Sequence, residues 1–552
     1  MPDIGGMLLI GKRALSAHQQ AISVTSQNTA NVNTEGYNRQ SVVYETTSML
    51  DGFGTGVQLQ QVRSAVDRFL GLQIGSEQAT LGRFLAEKGL LDRVEAVFGN
   101  LGEDGVSQSI SNFFAAVNDL SDNPSGIPER TVLVERGKSL AHAFATADTR
   151  LKVIQADSNS EITSRIDEIN SLASQVAGLN KQIQSAEAAG GPPANDLRSQ
   201  RDGLLKALSN EIGVDVLEDP DGISLIIGSG GERVPLVSGD TAFALSTLPD
   251  PASGFSKIVY RGRTDITNTI TSGRLRGLID VQNHLIPSYI DRLDQLSAAL
   301  SHEFNLQHQA GFGLDESTGV DFFSPLNEKN VFPAQNNRGT GVVTAEFEPL
   351  PDPPDPDNPP PKITFDTYQL SFNRGAFTLR NLSTGEQITT SDADEITLER
   401  VKINLTGTLK EGDQFQIKMH QGAAGAMAVE LSDLQQVAAS KTKEALPGGN
   451  QNAIALAQLQ NKPVYSLKEA TFEGFFAGFI GELGTRAQQS ARNLSVQEAV
   501  TKRLDTMREE GAGVSLDEEM TNLISFQRAY QAAARLITVA DELLQTVIAL
   551  KS

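Results

Sequence analysis

The sequence predicts a multidomain α+β protein with paired terminal coiled-coil helices, an elongated helical-bundle domain and inserted β-rich domains. Three observations predict this class. Apolar residues recur with a seven-residue period near both chain ends, as in coiled coils. Most of the interior has the spacing of amphipathic helices, whereas residues 213–270 and 326–422 contain short alternating runs between Gly and Pro turns. The chain has 552 residues, enough for several domains with sizeable cores.

The first helix is predicted to span residues 4–33. One face has the alternating three- and four-residue spacing of a coiled coil and consists of Leu8, Gly11, Leu15, His18, Ile22, Thr25, Thr29 and Val32. The helix is expected to end at 31–36, where Asn and Gly supply left-handed positions. Because the rest of its surface is not apolar, this stripe needs a partner helix.

The interior is predicted to alternate between helical and strand-like stretches. Helices are expected at 66–98, 106–120, 129–208 (with a loop between antiparallel helices at 190–193) and 273–309. Extended segments are expected at 40–46, 213–270 and 326–422, with a flexible turn at 51–56 and a surface loop rich in Pro and Asp at 349–361. Helix is expected again from Ala424 to the end, apart from loops around 447–449 and 511–513.

The last helix carries a second seven-residue stripe. Its members are Leu516, Met520, Leu523, Gln527, Tyr530, Ala534, Ile537, Asp541, Leu544 and Ile548. Ser515 is predicted to cap this helix, with Glu518 completing a Ser-x-x-Glu capping box. The simplest arrangement is that the two chain ends pair with each other and with neighbouring copies, as in a subunit of an assembly.

These patterns divide the chain into four predicted domains. They are a terminal coiled-coil assembly domain (1–45 with 515–552), a helical body (46–212 with 271–325 and 423–514), a small β subdomain (213–270) and an outer β-rich domain (326–422).

Composition disfavours several classes of function. The net charge of −22 repels phosphate backbones and so disfavours nucleic-acid binding. No apolar run is long enough for a membrane-spanning helix, and the first residues lack the basic and apolar regions of a signal peptide. Cysteine is absent, which excludes disulfides and thiolate sites and suits a chain that is exported unfolded.

The sequence motifs that suggest a chemical site each lack a required residue or the required spacing. Residues 6–13 resemble a phosphate-binding loop, but Arg13 stands where Ser or Thr must hold magnesium. His302 and His308 are six residues apart, not the four that place a zinc pair on one helix face, so we expect them to be surface or interhelical polar residues. We therefore predict no catalytic, cofactor or metal residues and no enzymatic activity.

A family resemblance is carried by the helix ends. Residues 30–40 read Ala-Asn-Val-Asn-Thr-Glu-Gly-Tyr-Asn-Arg-Gln, which resembles the Ala-Asn-x-x-Thr-x-Gly-Tyr-x-Arg-Gln signature of bacterial flagellar axial proteins. The Gly-Tyr-x-Arg-Gln ending is typical of the flagellar hook-associated protein 1 family. Residues 513–519 and 527–532 look like the C-terminal signature of the same group. Interior segments that match the hook-associated pattern are 196–202, 273–278, 311–323 and 448–453.

This resemblance implies a structural role in a thin ring that joins the hook to the flagellin filament outside the cell. It implies export through the flagellar type III apparatus without a cleavable signal peptide, and terminal helices that are disordered in the free subunit and pair into an inner tube on assembly. The implied partners are other copies of the chain, the hook protein, a second junction protein (hook-associated protein 3) and an export chaperone. No cofactor, nucleic acid or membrane insertion is implied.

The stripes and the signature together predict an assembly interface. Its residues are Leu8, Leu15, Ile22, Asn31, Thr34, Gly36, Tyr37, Arg39, Gln40, Leu516, Met520, Leu523, Gln527, Tyr530, Ile537, Leu544 and Ile548.

Three alternatives remain at this point. The β domains could carry a hydrolase, although no carboxylate pair stands in a recognisable active-site context. Residues 326–422 could be an adhesive or binding module, which is compatible with the structural role. The chain could also be another axial subunit such as a hook-type protein, but the ending at 36–40 favours the junction protein.

Overall fold

A computed structural model describes residues 4–34, 36–46, 49–50, 53–54, 56–99, 105–188, 192–219, 222–228, 232–250, 254–325, 330–334, 336–348 and 363–549. The predicted loop rich in Pro and Asp at 349–361 lies outside these residues. So do Gly190 and Gly191 of the predicted interhelical loop and part of the predicted turn at 51–56.

Helices make up most of the described chain, and six of those described exceed 20 residues. They are α1 (Ile4–Ala30), α2 (Arg68–Gly99), α3 (Val106–Asp122), α4 (Ile127–Glu187), α5 (Asn195–Glu211), α6 (Arg274–Asp280), α7 (Ile286–Gln309), α8 (Ala423–Ala426), α9 (Gln451–Gln458), α10 (Phe472–Ala512) and α11 (Leu516–Ala549). A π-helical turn, Val281–Leu285, joins α6 to α7.

The strands fall into three regions of the chain. The first holds β1 (Gln40–Thr46), β2 (Met49–Leu50), β3 (Phe53–Gly54) and β4 (Val57–Ser64). The second holds β5 (Asp215–Asp219), β6 (Gly222–Ile227), β7 (Val234–Ser238), β8 (Thr241–Ala242), β9 (Leu245–Pro249), β10 (Ser256–Tyr260) and β11 (Thr264–Asp265). The third holds β12 (Val331–Pro333), β13 (Val342–Phe347), β14 (Thr367–Asn373), β15 (Ala376–Asn381), β16 (Gln387–Thr390), β17 (Thr397–Leu398), β18 (Val401–Thr406) and β19 (Gln414–Lys418).

Each sheet is built within one of these regions. In the first, β1 pairs antiparallel with β4 and β2 with β3. In the second, the strand orders are β5-β6-β7-β8 and β11-β10-β9. In the third they are β12-β19-β14-β15-β16 and β13-β18-β17. The alternation predicted in Tyr368–Phe372 is confirmed, because Tyr368 and Leu370 are buried on one face of β14.

The helical body is organised around aromatic side chains of α3 and α7. On α3, Ile110, Phe113 and Val117 recur at helical spacing and are fully buried. The Phe113 ring packs 5.0 Å from Phe304 of α7 and 5.7 Å from Phe322 (centroid to centroid). This cluster fixes α7 and the chain that follows it against α3.

Helix α4 supports the second β region along one side. It has 61 residues and therefore spans ~90 Å. Asn170 exchanges two hydrogen bonds of 2.8 Å with the backbone of Leu245, and Asn180 donates to the carbonyls of Ile223 at 2.9 Å and Gly239 at 2.7 Å. Side-chain amides, of which Asn180 is buried and Asn170 half-buried, thus attach both small sheets to the helix.

Several predicted elements are confirmed to within a few residues. These are the helices at 4–33, 66–98, 106–120 and 273–309, and the antiparallel pair α4 and α5, which is joined by the ion pair Arg198–Glu187 at 2.7 Å. The strand β4 was not predicted, because its Gln and Arg residues obscure the alternation of Val57, Leu59 and Val62.

The prediction of helix from Ala424 is wrong for residues 427–446 and for residues 459–471, whereas the loop predicted around 447–449 is confirmed. Residues 427–446 run mostly as turns and short 3-10 segments between α8 and α9. The backbone of this stretch is held by buried side chains from other elements. Arg130 of α4 is fully buried and donates to the carbonyls of Val437 at 2.7 Å and Leu434 at 3.3 Å. Hydrogen bonds from side chains of the helical body thus satisfy backbone groups that would be paired within a helix.

His308 has a structural role in the same region, so the prediction of a surface or interhelical position is corrected. It is buried, its Nδ1 donates to the carbonyl of Val320 at 2.7 Å, and its Nε2 accepts from the N–H of Ala438 at 2.9 Å. Burial lowers the pKa of His308 to about 4. The neutral ring joins the segments at Val320 and Ala438. The spacing of apolar residues in the sequence gave no indication that these segments meet.

The outer β region is fastened to α7 by two aspartates. Asp291 accepts from Lys418 at 2.8 Å and His420 at 3.0 Å; burial opposes its charge, but these two bonds lower its pKa to about 2. Asp294 is buried and accepts the N–H groups of Gly422 at 2.8 Å and Ala424 at 2.9 Å. Burial raises the pKa of Asp294 to about 6.

We predict that His308 makes the body acid-sensitive. Its pKa is depressed in the folded chain, so its contribution to stability is present above the unfolded value of about 6.5 and is lost as pH falls towards 4. Relative to His308→Gln, the wild-type free energy of unfolding should fall by about 2–3 kcal/mol between about pH 7 and about pH 4.5. Denaturant titration monitored by circular dichroism measures this difference. The exposed His142, replaced by Gln, is the matched control; an equal pH dependence in wild type and His308→Gln would contradict the prediction.

Candidate assembly site at the terminal helices

Helices α1 and α11 pack against each other, as the sequence predicts, and the structure shows that they are antiparallel. Gly11, early in α1, lies against Ile537, late in α11. Asn28, late in α1, bonds to Glu519, early in α11. A Cβ on Gly11 would lie 2.6 Å from Cγ1 of Ile537, so glycine permits this close approach.

The buried face of α1 coincides only in part with the predicted stripe. Gly11 and Thr25 of the stripe are buried, whereas Leu8, Leu15 and Ile22 are half-buried. The other buried residues, Ala17, Ala21 and Asn28, lie outside the stripe. The seven-residue period is correct, but most of the buried positions are rotated around the helix. Small side chains occupy the centre because the helices approach closely there.

On α11 the buried residues are Glu519, Ala533 and Ala540. Of the predicted stripe, Leu523, Tyr530, Ile537 and Leu544 are half-buried beside them, and Gln527 is exposed. Leu516, Met520 and Ile548 are 47%, 50% and 60% exposed. The predicted stripe therefore lies partly on the side of α11 that α1 does not cover.

Asn28 is the centre of a buried polar network. Its Nδ2 donates to the carbonyl of Gln40 at 2.8 Å and to Glu519 Oε2 at 3.1 Å. Its Oδ1 accepts from the N–H of Gln40 and from the hydroxyl of Tyr37, both at 3.0 Å. These four bonds join α1 to the start of β1, to the turn between them and to α11.

Arg39 connects the same network to the body. Its Nε donates to Glu519 Oε1 and its Nη1 to Glu518 Oε2, both at 2.8 Å. Its N–H donates to the carbonyl of Ala512 at the end of α10, and its carbonyl accepts from Ala65, both at 2.8 Å. We call Asn28, Arg39, Glu518 and Glu519 the polar latch.

A second connection runs from the turn to α5. Asp196, in the first turn of α5, accepts from Gln40 Nε2 and from Gln27 Nε2, both at 2.8 Å. Asn195 donates to the carbonyl of Val62 in β4 at 3.0 Å. The family-like segment 196–202 therefore lies against the turn from Asn31 to Gln40, which we call the signature turn.

The remaining signature residues shape the turn itself. Thr34 donates from its N–H to the carbonyl of Asn31 at 2.9 Å, and Tyr37 to that of Thr34 at 3.1 Å. Gly36 has a φ of +83°, a left-handed conformation that disfavours a side chain. Burial, followed by the nearby Asp196 carboxylate, raises the pKa of the Tyr37 hydroxyl to about 12, so it remains a donor to Asn28 at neutral pH.

The predicted capping box of α11 is replaced by the polar latch. The carbonyl of Ser515 accepts from the N–H of Glu519 at 2.9 Å, so the helix does begin there. The carboxylate of Glu518 binds Arg39. The local sequence suggested that Glu518 pairs with the cap at Ser515, but in the folded chain it pairs with Arg39, 479 residues away in sequence.

Four residues of this site were missed as interface candidates: Asn28, Glu518, Glu519 and Asp196. Glu518 had been assigned to a local capping box. Asn28 precedes the signature, and Glu519 appeared to be one of several acids that complement a helix dipole. One usable signal was Asn28 itself, a polar residue near the end of an amphipathic helix. Asp196 could be suspected only from its family-like segment.

The site has the chemistry of a joint between structural elements. Shallow grooves of about 270 and 380 Å³ flank the latch, lined mainly by polar residues of the turn, α5 and α11, unlike the apolar pockets typical of small-molecule sites. Among the described residues, no three His, Cys, Asp or Glu side chains are placed to hold a metal ion. None of the described helices is both long enough and apolar enough to cross a bilayer.

Family models match three parts of the chain. The helical domain described as flagellar hook-associated protein FlgK matches residues 91–323. A flagella basal body rod protein model matches residues 8–38, and the flagellar basal body rod FlgEFG protein C-terminal model matches residues 508–550. The two terminal matches contain most of the polar latch and its two helices.

Whole-chain relatives agree with these matches. Flagellar hook-associated protein 1 of Escherichia coli (strain K12) is 25% identical over 97% of both chains. The protein of the same name from Bacillus subtilis (strain 168) is 28% identical over 97% of this chain and 96% of its own. The structure of the flagellar hook junction protein FlgK from Burkholderia pseudomallei shares the fold, with a TM-score of 0.66 and 19% identity over 79% of this chain and 99% of its own.

We predict that Asn28→Ala loosens α1. The change removes both bonds between Asn28 and the backbone of Gln40, and it leaves the Glu519 carboxylate and the Tyr37 hydroxyl without one partner each. The free energy of opening α1, measured by native-state hydrogen exchange, should fall by about 2–4 kcal/mol. Asn31→Ala is the control, because the Asn31 side chain bonds at a less buried position. Equal effects of the two changes would contradict a special role for Asn28.

Proposed function

The chain belongs to the flagellar hook-associated protein 1 family, and on this premise we propose that it is a structural component of the bacterial flagellum that forms the ring joining hook to filament and supports filament assembly. The observation that carries the proposal is the terminal helix pair. It is tied to the body through the signature turn, yet α11 keeps exposed apolar residues such as Met520 and Ile524.

The proposed assembly surface has two parts. One is the side of the helix pair that α1 and α11 leave open, with Leu516, Met520 and Ile548 as its most exposed predicted members. Exposed apolar residues on a helix favour association with another helix, which removes them from water. The other is the signature turn from Asn31 to Gln40, which fixes the direction in which the pair leaves the body.

The domain division supports the same role. We propose a terminal assembly domain (1–45 with 515–552), a helical body (46–212, 271–325 and 423–514), a small β subdomain (213–270) and an outer β-rich domain (326–422). Each of the two inserted β regions forms its own sheets, consistent with this division.

The proposed partners follow from the proposed position between the hook and the filament. They are neighbouring copies in the ring, the hook protein on one side, hook-associated protein 3 on the other, and before assembly an export chaperone and the type III export apparatus. The proposed location is the hook–filament junction outside the cell. A hook-type subunit is the rival within the axial proteins; the Gly36-Tyr37-x-Arg39-Gln40 ending and the whole-chain relatives favour the junction protein.

Deletion of residues 516–552 should leave a folded body that cannot support a filament. The core of α3, α4 and α7 contains no residue of α11, so the shortened chain should retain most of its helix by circular dichroism. In cells, electron microscopy should show hooks without filaments, and flagellin should appear in the medium. Normal motility of the deletion strain would reject the proposed function.

Charges placed on the inner side of α11 should have the same effect with the chain length unchanged. Leu523→Asp and Tyr530→Asp each put a carboxylate where assembly and helix pairing must desolvate it. We expect at least a tenfold loss of filamented cells, counted by microscopy. Gln531→Asp, at an exposed position of the same helix, is the matched control and should be close to wild type. Equal loss in all three would point to misfolding of α11.

A further inference from the structure

The turn between β17 and β18, in the outer β region, has a backbone conformation that its residues do not favour. Leu398 pairs with Val401 across the turn. Glu399 and Arg400 between them form a two-residue hairpin turn with φ angles of +50° and +64°, both in the left-handed region. Such turns strongly favour Asn and Gly, because other residues are strained there. The presence of Glu and Arg therefore needs a reason outside the turn.

Arg400 binds the chain that leaves β13. Its Nη2 and Nε donate to the carbonyl of Glu348 at 2.5 and 3.2 Å, and its own carbonyl accepts from the N–H of Glu348 at 2.8 Å. Residues 349–362, which follow, are mostly Pro and Asp, and proline has no N–H with which to continue a strand. One residue thus holds both backbone groups of Glu348 at the point where the sheet pairing must stop.

Glu399 binds the chain that enters β14. Its Oε2 accepts from the hydroxyl of Tyr368 at 2.6 Å, from Nδ2 of Asn381 at 2.7 Å and from the hydroxyl of Thr364 at 3.3 Å. Tyr368 and Asn381 are fully buried and belong to the other sheet of this region. Buried polar groups are costly unless they are hydrogen-bonded, so Glu399 ties the far end of residues 349–362 to the same turn.

Aromatic contacts hold the same two pieces of chain together. The ring of Phe347, beside Glu348, lies 5.9 Å from that of Phe365 (centroid to centroid). The ring of His302 on α7 lies 6.3 Å from the first and 6.4 Å from the second. The chain is therefore fixed to itself and to the helical body within a few residues of where 349–362 begins and ends.

We propose that Glu399 and Arg400 are positioning residues that clamp both ends of residues 349–362, so that the outer β region carries this segment without needing it in order to fold. The strained turn is retained because these two side chains reach both ends, whereas Asn and Gly would not. The composition of 349–362 is then free of the constraints on strands, consistent with its many prolines. The clamp lies wholly in the outer β region and is independent of the proposed ring.

The double variant Glu399→Asn with Arg400→Gly distinguishes a clamp from a simple turn. It supplies the residues that such a hairpin prefers and removes both of the long side chains. In hydrogen exchange of the full-length chain followed by mass spectrometry, peptides of β13 and β14 should exchange at least about tenfold faster than in wild type. If Glu399 and Arg400 only turned the chain, these peptides would exchange at the wild-type rate or more slowly, which would overturn the proposal.

A second hairpin of the same region provides the matched control. Arg374 and Gly375 form the two-residue turn between β14 and β15, with φ angles of +54° and +74°. Arg374 is exposed, so Arg374→Asn should leave exchange in β14 unchanged or slower. If this control accelerated exchange as much as the double variant does, any change at such a turn would loosen the sheets, and the clamp would be rejected.

Two further variants test the halves of the proposal separately. Glu399→Gln keeps the length of the side chain and an acceptor oxygen for Tyr368 and Asn381, so exchange should stay within about threefold of wild type. Replacement of residues 350–361 by a short Gly-Ser linker should also leave β13, β14 and β18 within about threefold, because residues outside the segment hold its ends. An outer β region that unfolds in the linker variant, or a Glu399→Gln variant as fast as the double variant, would contradict the proposal.

Discussion

The pairing of the buried Glu519 carboxylate with Arg39 and Asn28 is the interaction on which the arrangement of the chain ends depends. Two helices more than 480 residues apart must return to one place, and only a few residues join them to the body there. A purely apolar contact would tolerate rotation and sliding, whereas a buried charge with two directed partners does not. The helix pair therefore leaves the body in a defined direction.

The same physical solution recurs at the other junctions. Asn170 and Asn180 attach the small sheets to α4, Asp294 holds the chain that returns from the outer β region, and Arg130 holds the irregular segment before α9. In each case a buried or half-buried side chain satisfies backbone groups of a distant segment. The aromatic cluster supplies bulk stability, and these polar groups determine where the inserted regions lie.

Much of this architecture is predictable from local pattern. The helices from 66 to 120, the π-interrupted helix before Gln309 and the strands of the outer region have clear periodicity, and the structure confirms them. The terminal stripes were predicted with the right period, and Gly11 and Thr25 of the first stripe are buried, but most of the other central residues were wrong. A count of apolar residues favours Leu and Ile, whereas two helices in close approach bury Gly and Ala at the centre and leave the larger side chains at the margin.

The sequence by itself determined that the chain has helices at both ends that need partners, a body of long helices and two β-rich insertions, because spacing of apolar residues is a local property. It also determined the family resemblance, through the turn that ends at Gln40. Only the tertiary structure decided that Glu518 and Glu519 bind Arg39, that Asp196 meets the signature turn, and that residues 427–446 are not helical. These depend on groups hundreds of residues apart, whose burial and hydrogen bonding exist only once the chain has folded.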